Sequence, residues 1–238
     1  MTAAVSYASG PSHKALLGMP IGTLFDDIVA RHGGREAVVS VHQGIRLSYQ
    51  DLAQRVNTLA RAFIASGFSK GDRVGIWSPN NVEWLVTQYA TAKAGIILVT
   101  INPAYRLHEL AFVLEQSGCK GLVLQNRFKT SDYEALICEL CPQLQSCEPG
   151  QLRSEKFANL TTVISMTEST LPGITNWQDF LELAGQSTAA ELAQRQAEQD
   201  FDDAINIQYT SGTTGFPKGA TLSHHNIQIG RASCRERV

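Results

Sequence analysis

The chain has 238 residues, 43% of them hydrophobic and 18% charged, with 20 basic against 22 acidic side chains and a net charge of −2. At roughly 150 residues per domain such a length buries a sizeable core, which excludes a mini-protein that needs disulfide or metal staples. There is no basic stripe to neutralise nucleic acid phosphates or an anionic membrane, and the longest apolar run, Ala94 to Val99, is far short of the ~20 residues that span a bilayer.

The first twenty residues hold no acid, one Lys and one His, without the apolar core of a secretory signal or the arginines of a transit peptide. They are expected to form an extension without a targeting signal. Glu36 to Val41 and Ile45 to Leu47, parted by Gly44, predict a strand pair. Ser48 and Asp51 have capping-box spacing, and Leu52, Val56, Leu59, Ala60 and Phe63 then recur at helical spacing until Gly67. Arg73 to Trp77 predicts a short buried strand. Asn80 and Glu83 are the expected cap of a second helix, with apolar face Val82, Leu85, Val86, Tyr89 and Ala90 and its stop at Gly95.

Ile96 to Ile101 is β-branched and short, a strand buried on both faces. Leu107, Leu110, Ala111 and Leu114 predict a helix ending at Gly118, followed by a strand at Gly121 to Leu124 and a helix opened by Ser131 with Glu134 three residues on. Pro142 to Leu160 is turn-rich. Thr161 to Ser165 predicts a strand, Ser187 to Asp203 a solvated surface helix, and Ala204 to Tyr209 a further strand. Alternating strand and helix imply parallel strands with helical crossovers, a doubly wound α/β sheet that takes ligands at the carboxyl ends of its strands.

Five cysteines, an odd number at irregular spacing, suit free thiols in a reducing compartment. Cys138 and Cys141 form a CxxC without the second ligand pair that zinc requires, so no metal site is expected. Ser223 is the expected N-cap of a helix opened by His224 and His225, while Trp77, Trp84, Tyr89 and Tyr105 fall in core-forming segments.

The chemistry concentrates in Tyr209 to Gly219, YTSGTTGFPKG. Thr210, Ser211, Thr213 and Thr214 bring hydroxyls, and Gly212 and Gly215 let main-chain N–H groups close on an anion. Lys218 brings a full charge, with its approach partly set by Phe216-Pro217. Counted from Gly212, Pro217 stands where a Walker A loop needs its second glycine, which disfavours a nucleotide-hydrolysing P-loop fold.

This loop resembles the phosphate-binding signature of the adenylate-forming superfamily of acyl-CoA synthetases, luciferases and peptide-synthetase adenylation domains. Leu47 to Val56, Lys70 to Arg106 and Glu109 to Lys120 resemble the amino-terminal half of the same family in the same order, and INIQYTSGTTGFPKGATLSHHNI is most similar to its mitochondrial medium-chain acyl-CoA synthetase branch. The resemblance covers about residues 20 to 229. It implies the amino-terminal part of the family's large α/β domain, mostly parallel sheets flanked by helices and incomplete, over residues 21–229. It further implies ATP with Mg²⁺, a fatty acid and coenzyme A as reaction partners, and a mitochondrial matrix location, with a cytoplasmic one as alternative. The residues from Thr210 to Lys218 would wrap the β- and γ-phosphates, and Thr213, Thr214 and Lys218 would stabilise the departing pyrophosphate.

The family's acyl pocket, ribose-binding Asp, hinge and small carboxyl-terminal domain follow the phosphate loop and have no counterpart here, so the chain alone is expected to be inactive. Residues 230–238 carry Arg231, Arg235 and Arg237 against Glu236, without an apolar repeat to continue the helix begun at Asn226. This tail resembles translated sequencing-adapter sequence, with an alternative exon as the competing origin. Two classes stay open: the amino-terminal fragment of an acyl-CoA ligase, or a truncated, non-catalytic interaction protein.

Overall fold

The computed structural model describes residues 17–210 and 217–234, with side chains as far as residue 229. Helix α1 (Ile21–His32) leads into an antiparallel hairpin of β1 (Glu36–Ser40) and β2 (Ile45–Ser48). Helix α2 (Tyr49–Ala65) opens on the expected capping box: Ser48 Oγ accepts from the Asp51 amide and Asp51 accepts from the Ser48 amide. Strand β3 (Arg73–Trp77), α3 (Val82–Ala94), β4 (Ile97–Ile101), α4 (Leu107–Ser117) and β5 (Gly121–Leu124) form the winding core. Gly95 and Gly118 stop the two helices at φ 71° and 60°, where a side chain would be strained.

A two-residue hairpin, β6 (Arg127–Phe128) with β7 (Ser131–Asp132), precedes α5 (Tyr133–Leu140). Then come β8 (Thr162–Ser165), β9 (Ile174–Asn176), α6 (Trp177–Glu182), α7 (Ala189–Ala197), β10 (Ala204–Thr210), β11 (Lys218–Ser223) and α8 (His224–Cys234).

Among the described residues seven strands make the main sheet in the order β11-β10-β4-β3-β5-β8-β9, with every neighbour parallel except β10 and β11. Period-two alternation divides the strands between two cores. Val74, Val123 and Ile164 face α2, α3 and α6, whereas Trp77, Val99, Ile101, Leu122, Leu124 and Val163 face α4 and α5. The α2 stripe predicted from spacing, Leu52, Val56, Leu59 and Phe63, is buried, and the Phe63 ring meets Phe68 and Phe180 edge-on at 5.2 and 5.1 Å.

Several expectations are corrected. The cap of α3 is Asn81, whose Oδ1 accepts from the Trp84 amide at 2.7 Å, not Asn80. Glu83 instead accepts from Gln43 Nε2. The cap of α5 is Asp132 rather than Ser131, which pairs with Phe128 in the small hairpin. Strand–helix alternation breaks at β10 and β11, because their connection of seven residues is too short for a parallel crossover.

Helix α7 is shorter than the predicted 187–203 segment, and it lies on the surface as expected, anchored at one face. Leu192 is buried, Arg195 donates to the carbonyls of Phe68 and Ala94, and Gln199 donates to that of Lys93. Helix α8 runs on to Cys234, past the loss of its apolar repeat, since a helix once nucleated propagates cheaply. Helix α1 was not anticipated. Lys93, 4% exposed, fastens it by donating to Asp26 Oδ1 at 2.6 Å and Asn57 Oδ1 at 2.7 Å, and Phe25 stacks on Tyr89 at 4.5 Å.

Candidate phosphate-binding site

The chain rises through β4 and β10 in the same direction, so both end at the carboxyl edge of the sheet, with Gln208 opposite Thr100. The winding reverses at β3, which is followed by β4 on one side and flanked by β5 on the other, so the switch point where such sheets take ligands lies between the carboxyl ends of β3 and β5. Strand β10 ends on the same edge of the sheet, on the far side of β4.

Thr210 closes β10 and lies in register with Lys218, which opens β11. Thr210 Oγ1 donates to the Lys218 carbonyl at 3.5 Å. These two residues form the neck of the hairpin whose connection is 211–217. Ser211, Gly212, Thr213, Thr214, Gly215 and Phe216 lie outside the described residues; Thr210, Pro217 and Lys218 lie within them. Both Thr210 and Lys218 are exposed, and Lys218 has no carboxylate partner among the described residues.

Below the neck, Tyr209 pairs with Gly219, and a Cβ at Gly219 would come within 3.2 Å of the Tyr209 ring. The missing side chain lets the ring lie across the partner strand. Burial is the main cause that pushes the Tyr209 phenol up to about 12, with smaller contributions from Cys119 and Tyr105. It is a packing group that stays protonated at neutral pH.

The helices give this edge its polarity. Helices α3, α4 and α5 all begin here, so the positive ends of their dipoles point to the side where Thr210 and Lys218 stand. The N-cap residue of α4 is Arg106, a cation where a neutral or acidic cap is usual. An anion is the ligand such an edge favours.

The other candidates resolve into structural roles. His224 is 1% exposed, and its Nδ1 accepts from the Ile21 amide at 3.0 Å, tying α8 to α1. His225 meets the Phe201 ring edge-on. Trp77 is fully buried and stacks on Tyr133 at 3.6 Å. Cys119, Cys138 and Cys141 are buried free thiols, and burial raises the pKa of each. Among the described residues no group of three His, Cys, Asp or Glu can hold a metal ion, and no helix is long and apolar enough to cross a membrane.

A model of the family of AMP-binding enzymes matches residues 25–237. The chain belongs to that family. It is 44% identical over 224 residues to the mitochondrial medium-chain acyl-CoA ligase of Rattus norvegicus, covering 94% of this chain and 36% of that protein. Among solved structures it is similar to a fatty acyl CoA synthetase of Mycobacterium tuberculosis, with a TM-score of 0.65 and 25% identity over 86% of this chain and 34% of the other. A long-chain-fatty-acid-CoA ligase of Archaeoglobus fulgidus shares the fold with a TM-score of 0.70 at 19% identity, over 96% of this chain and 41% of the other. The chain thus spans just over a third of the length of the curated relative it matches.

Proposed function

We propose that the chain carries the phosphate-binding hairpin of an ATP-dependent, AMP-forming acyl-CoA ligase that activates a medium-chain fatty acid. The observation that supports this best is the registered pair of Thr210 and Lys218, held as the neck of a Ser-, Thr- and Gly-rich connection at the carboxyl edge of a parallel sheet. In the first step a carboxylate oxygen attacks the α-phosphorus of ATP and the bond to the β-phosphate breaks, giving acyl-adenylate and pyrophosphate. In the second the coenzyme A thiol attacks the acyl carbon and AMP leaves.

Thr210, Ser211, Gly212, Thr213, Thr214, Gly215, Phe216, Pro217 and Lys218 wrap the β- and γ-phosphates. Thr213, Thr214 and Lys218 act electrostatically as negative charge builds on the leaving pyrophosphate, with no proton to transfer. Magnesium would travel with ATP, and none of the described residues is assigned to it. A mitochondrial location is supported by the name of the rat relative.

The test is calorimetric titration of the chain with inorganic pyrophosphate. Lys218→Ala is expected to weaken binding at least about tenfold through loss of one charge-assisted contact, while the unfolding midpoint holds because the side chain is exposed. Equal binding by wild type and variant would sink the assignment.

A further inference from the structure

The neck of the hairpin is rigid only if something holds the carboxyl ends of β4 and β10. The turn after β4 is itself tightly made: the Ala104 amide donates to Asn102 Oδ1 at 2.9 Å, the Tyr105 amide donates to the Asn102 carbonyl at 3.0 Å, and Pro103 fixes its own φ. One side chain from across the sheet grips this turn. Tyr133, at the start of α5, is fully buried and donates its hydroxyl to the Pro103 carbonyl at 2.5 Å. Its ring lies flat on Trp77, the last residue of β3, with planes 10° apart.

The turn connects in the other direction to the hairpin. Thr100 Oγ1 donates to the Ile207 carbonyl, joining β4 to β10 just before the turn. Tyr105 and Tyr209 pack against the same core as Trp77 and Tyr133, and Tyr105 is within electrostatic reach of Tyr209. Tyr209 lies across Gly219, one residue from Lys218.

We infer that Tyr133 is a positioning residue for the phosphate-binding hairpin: through its bond to Pro103 it holds the Asn102–Tyr105 turn against Tyr209, and so fixes where Thr210 and Lys218 stand. This rests on the phosphate-binding reading of the hairpin. A buried polar pair is suited to the task, because a hydroxyl and a carbonyl meet in one geometry whereas apolar contacts slide. A misplacement of about 1 Å caused by a distant change can cost large factors in rate, so small shifts of such a support matter.

The test uses pyrophosphate titration of the whole chain with Tyr133→Phe, which deletes one oxygen and keeps the stack on Trp77. Binding should weaken about fivefold or more as the neck loses its support, and the unfolding midpoint should also fall, because a buried carbonyl is left unpaired in the free and the bound chain alike. Phe25→Leu, on the opposite face of the sheet, serves as the control: it should lower the unfolding midpoint without changing affinity. Tyr105→Leu should weaken binding similarly, and the double variant should lose less than the product of the two, since both act on one turn.

Tyr133→Phe with wild-type affinity overturns the proposal, as does a fully multiplicative double variant or a Phe25→Leu chain that loses as much affinity. If the wild-type chain binds no pyrophosphate, the reading of the hairpin fails first and takes the proposal with it.

Discussion

The two edges of the main sheet use their charged side chains in opposite ways. At the amino edge the cations are committed to the carbonyls where helices end. Arg73 donates to the carbonyls of Ser117 and Gly118 at the end of α4, Lys120 to that of Gly67 beyond α2, and Arg195 to that of Ala94 at the end of α3. Lys70 does the same for Glu198 after α7, while pairing with Asp203 at 2.7 Å. These contacts satisfy orphan carbonyls and offset the negative helix ends. At the carboxyl edge helices begin, Thr210 and Lys218 stand exposed, and the charge is available to a ligand. One edge commits its cations to the fold, and the other leaves Lys218 exposed.

If the carboxyl edge is a binding mouth on a rigid floor, the floor should carry stability. Trp77 is the largest side chain of that floor and is fully buried. Trp77→Ala is expected to cost about 3–5 kcal/mol of folding free energy, the range for an aromatic-to-alanine change in a core that cannot collapse. Urea unfolding measures it, and a loss below about 1 kcal/mol would show the floor to be loosely packed.

The amino edge should respond to acid through one buried imidazole, His224. His224 must be neutral at Nδ1 to accept from the Ile21 amide. Its pKa is pushed down to about 4, chiefly by burial, with Asp203 opposing, Lys70 adding to the fall and Asp200 opposing. The unfolded imidazole, near 6.5, takes up a proton that the folded one refuses. Stability is therefore complete above about pH 6.5 and falls as the pH drops towards 4, by about 3 kcal/mol across that window. His224→Gln keeps an acceptor and removes the titration. The difference in urea midpoint between wild type and variant should shift steadily between pH 7 and pH 4.5, and a constant difference would show that His224 is not the group responsible.

Local signals were legible in the sequence and distant ones were not. Capping-box spacing at Ser48 and Asp51, glycine stops at Gly95 and Gly118 and β-branched runs such as Ile97–Ile101 are all chain-local, and the structure carries each of them. The direction of β11 was not legible, because Lys218 to Ser223 lacks the apolar alternation that marks a strand; pairing with β10 decides it. Nor was the grip of Tyr133 on Pro103, which joins residues 30 positions apart and leaves no pattern in either segment. Helix α1 owes its place to Lys93, a buried ammonium that looks in sequence like an ordinary surface charge on α3. At the candidate site, the residue types of the Tyr209–Gly219 loop were plain, whereas the pairing of Thr210 with Lys218 is a product of strand register.

The smallest expected effect discriminates between two adjacent asparagines at the carboxyl edge. Asn80 and Asn81 are equally good caps by residue type, and spacing to Glu83 favours Asn80. Backbone direction decides otherwise: Asn80 is exposed, while Asn81 is half-buried and extended, with its Oδ1 on the Trp84 amide. Its Nδ2 also donates to Ser78 Oγ at 3.0 Å and to Gln125 Oε1 at 3.2 Å, joining the segments that follow β3 and β5. Asn81→Ala should therefore cost about 1 kcal/mol or slightly more, and Asn80→Ala less than about 0.5 kcal/mol. Equal losses would mean that α3 frays by a residue and that its cap can shift. Because Asn81 bridges two of the segments around the mouth, its variant should also weaken pyrophosphate binding slightly, which a cap acting on α3 alone would not do.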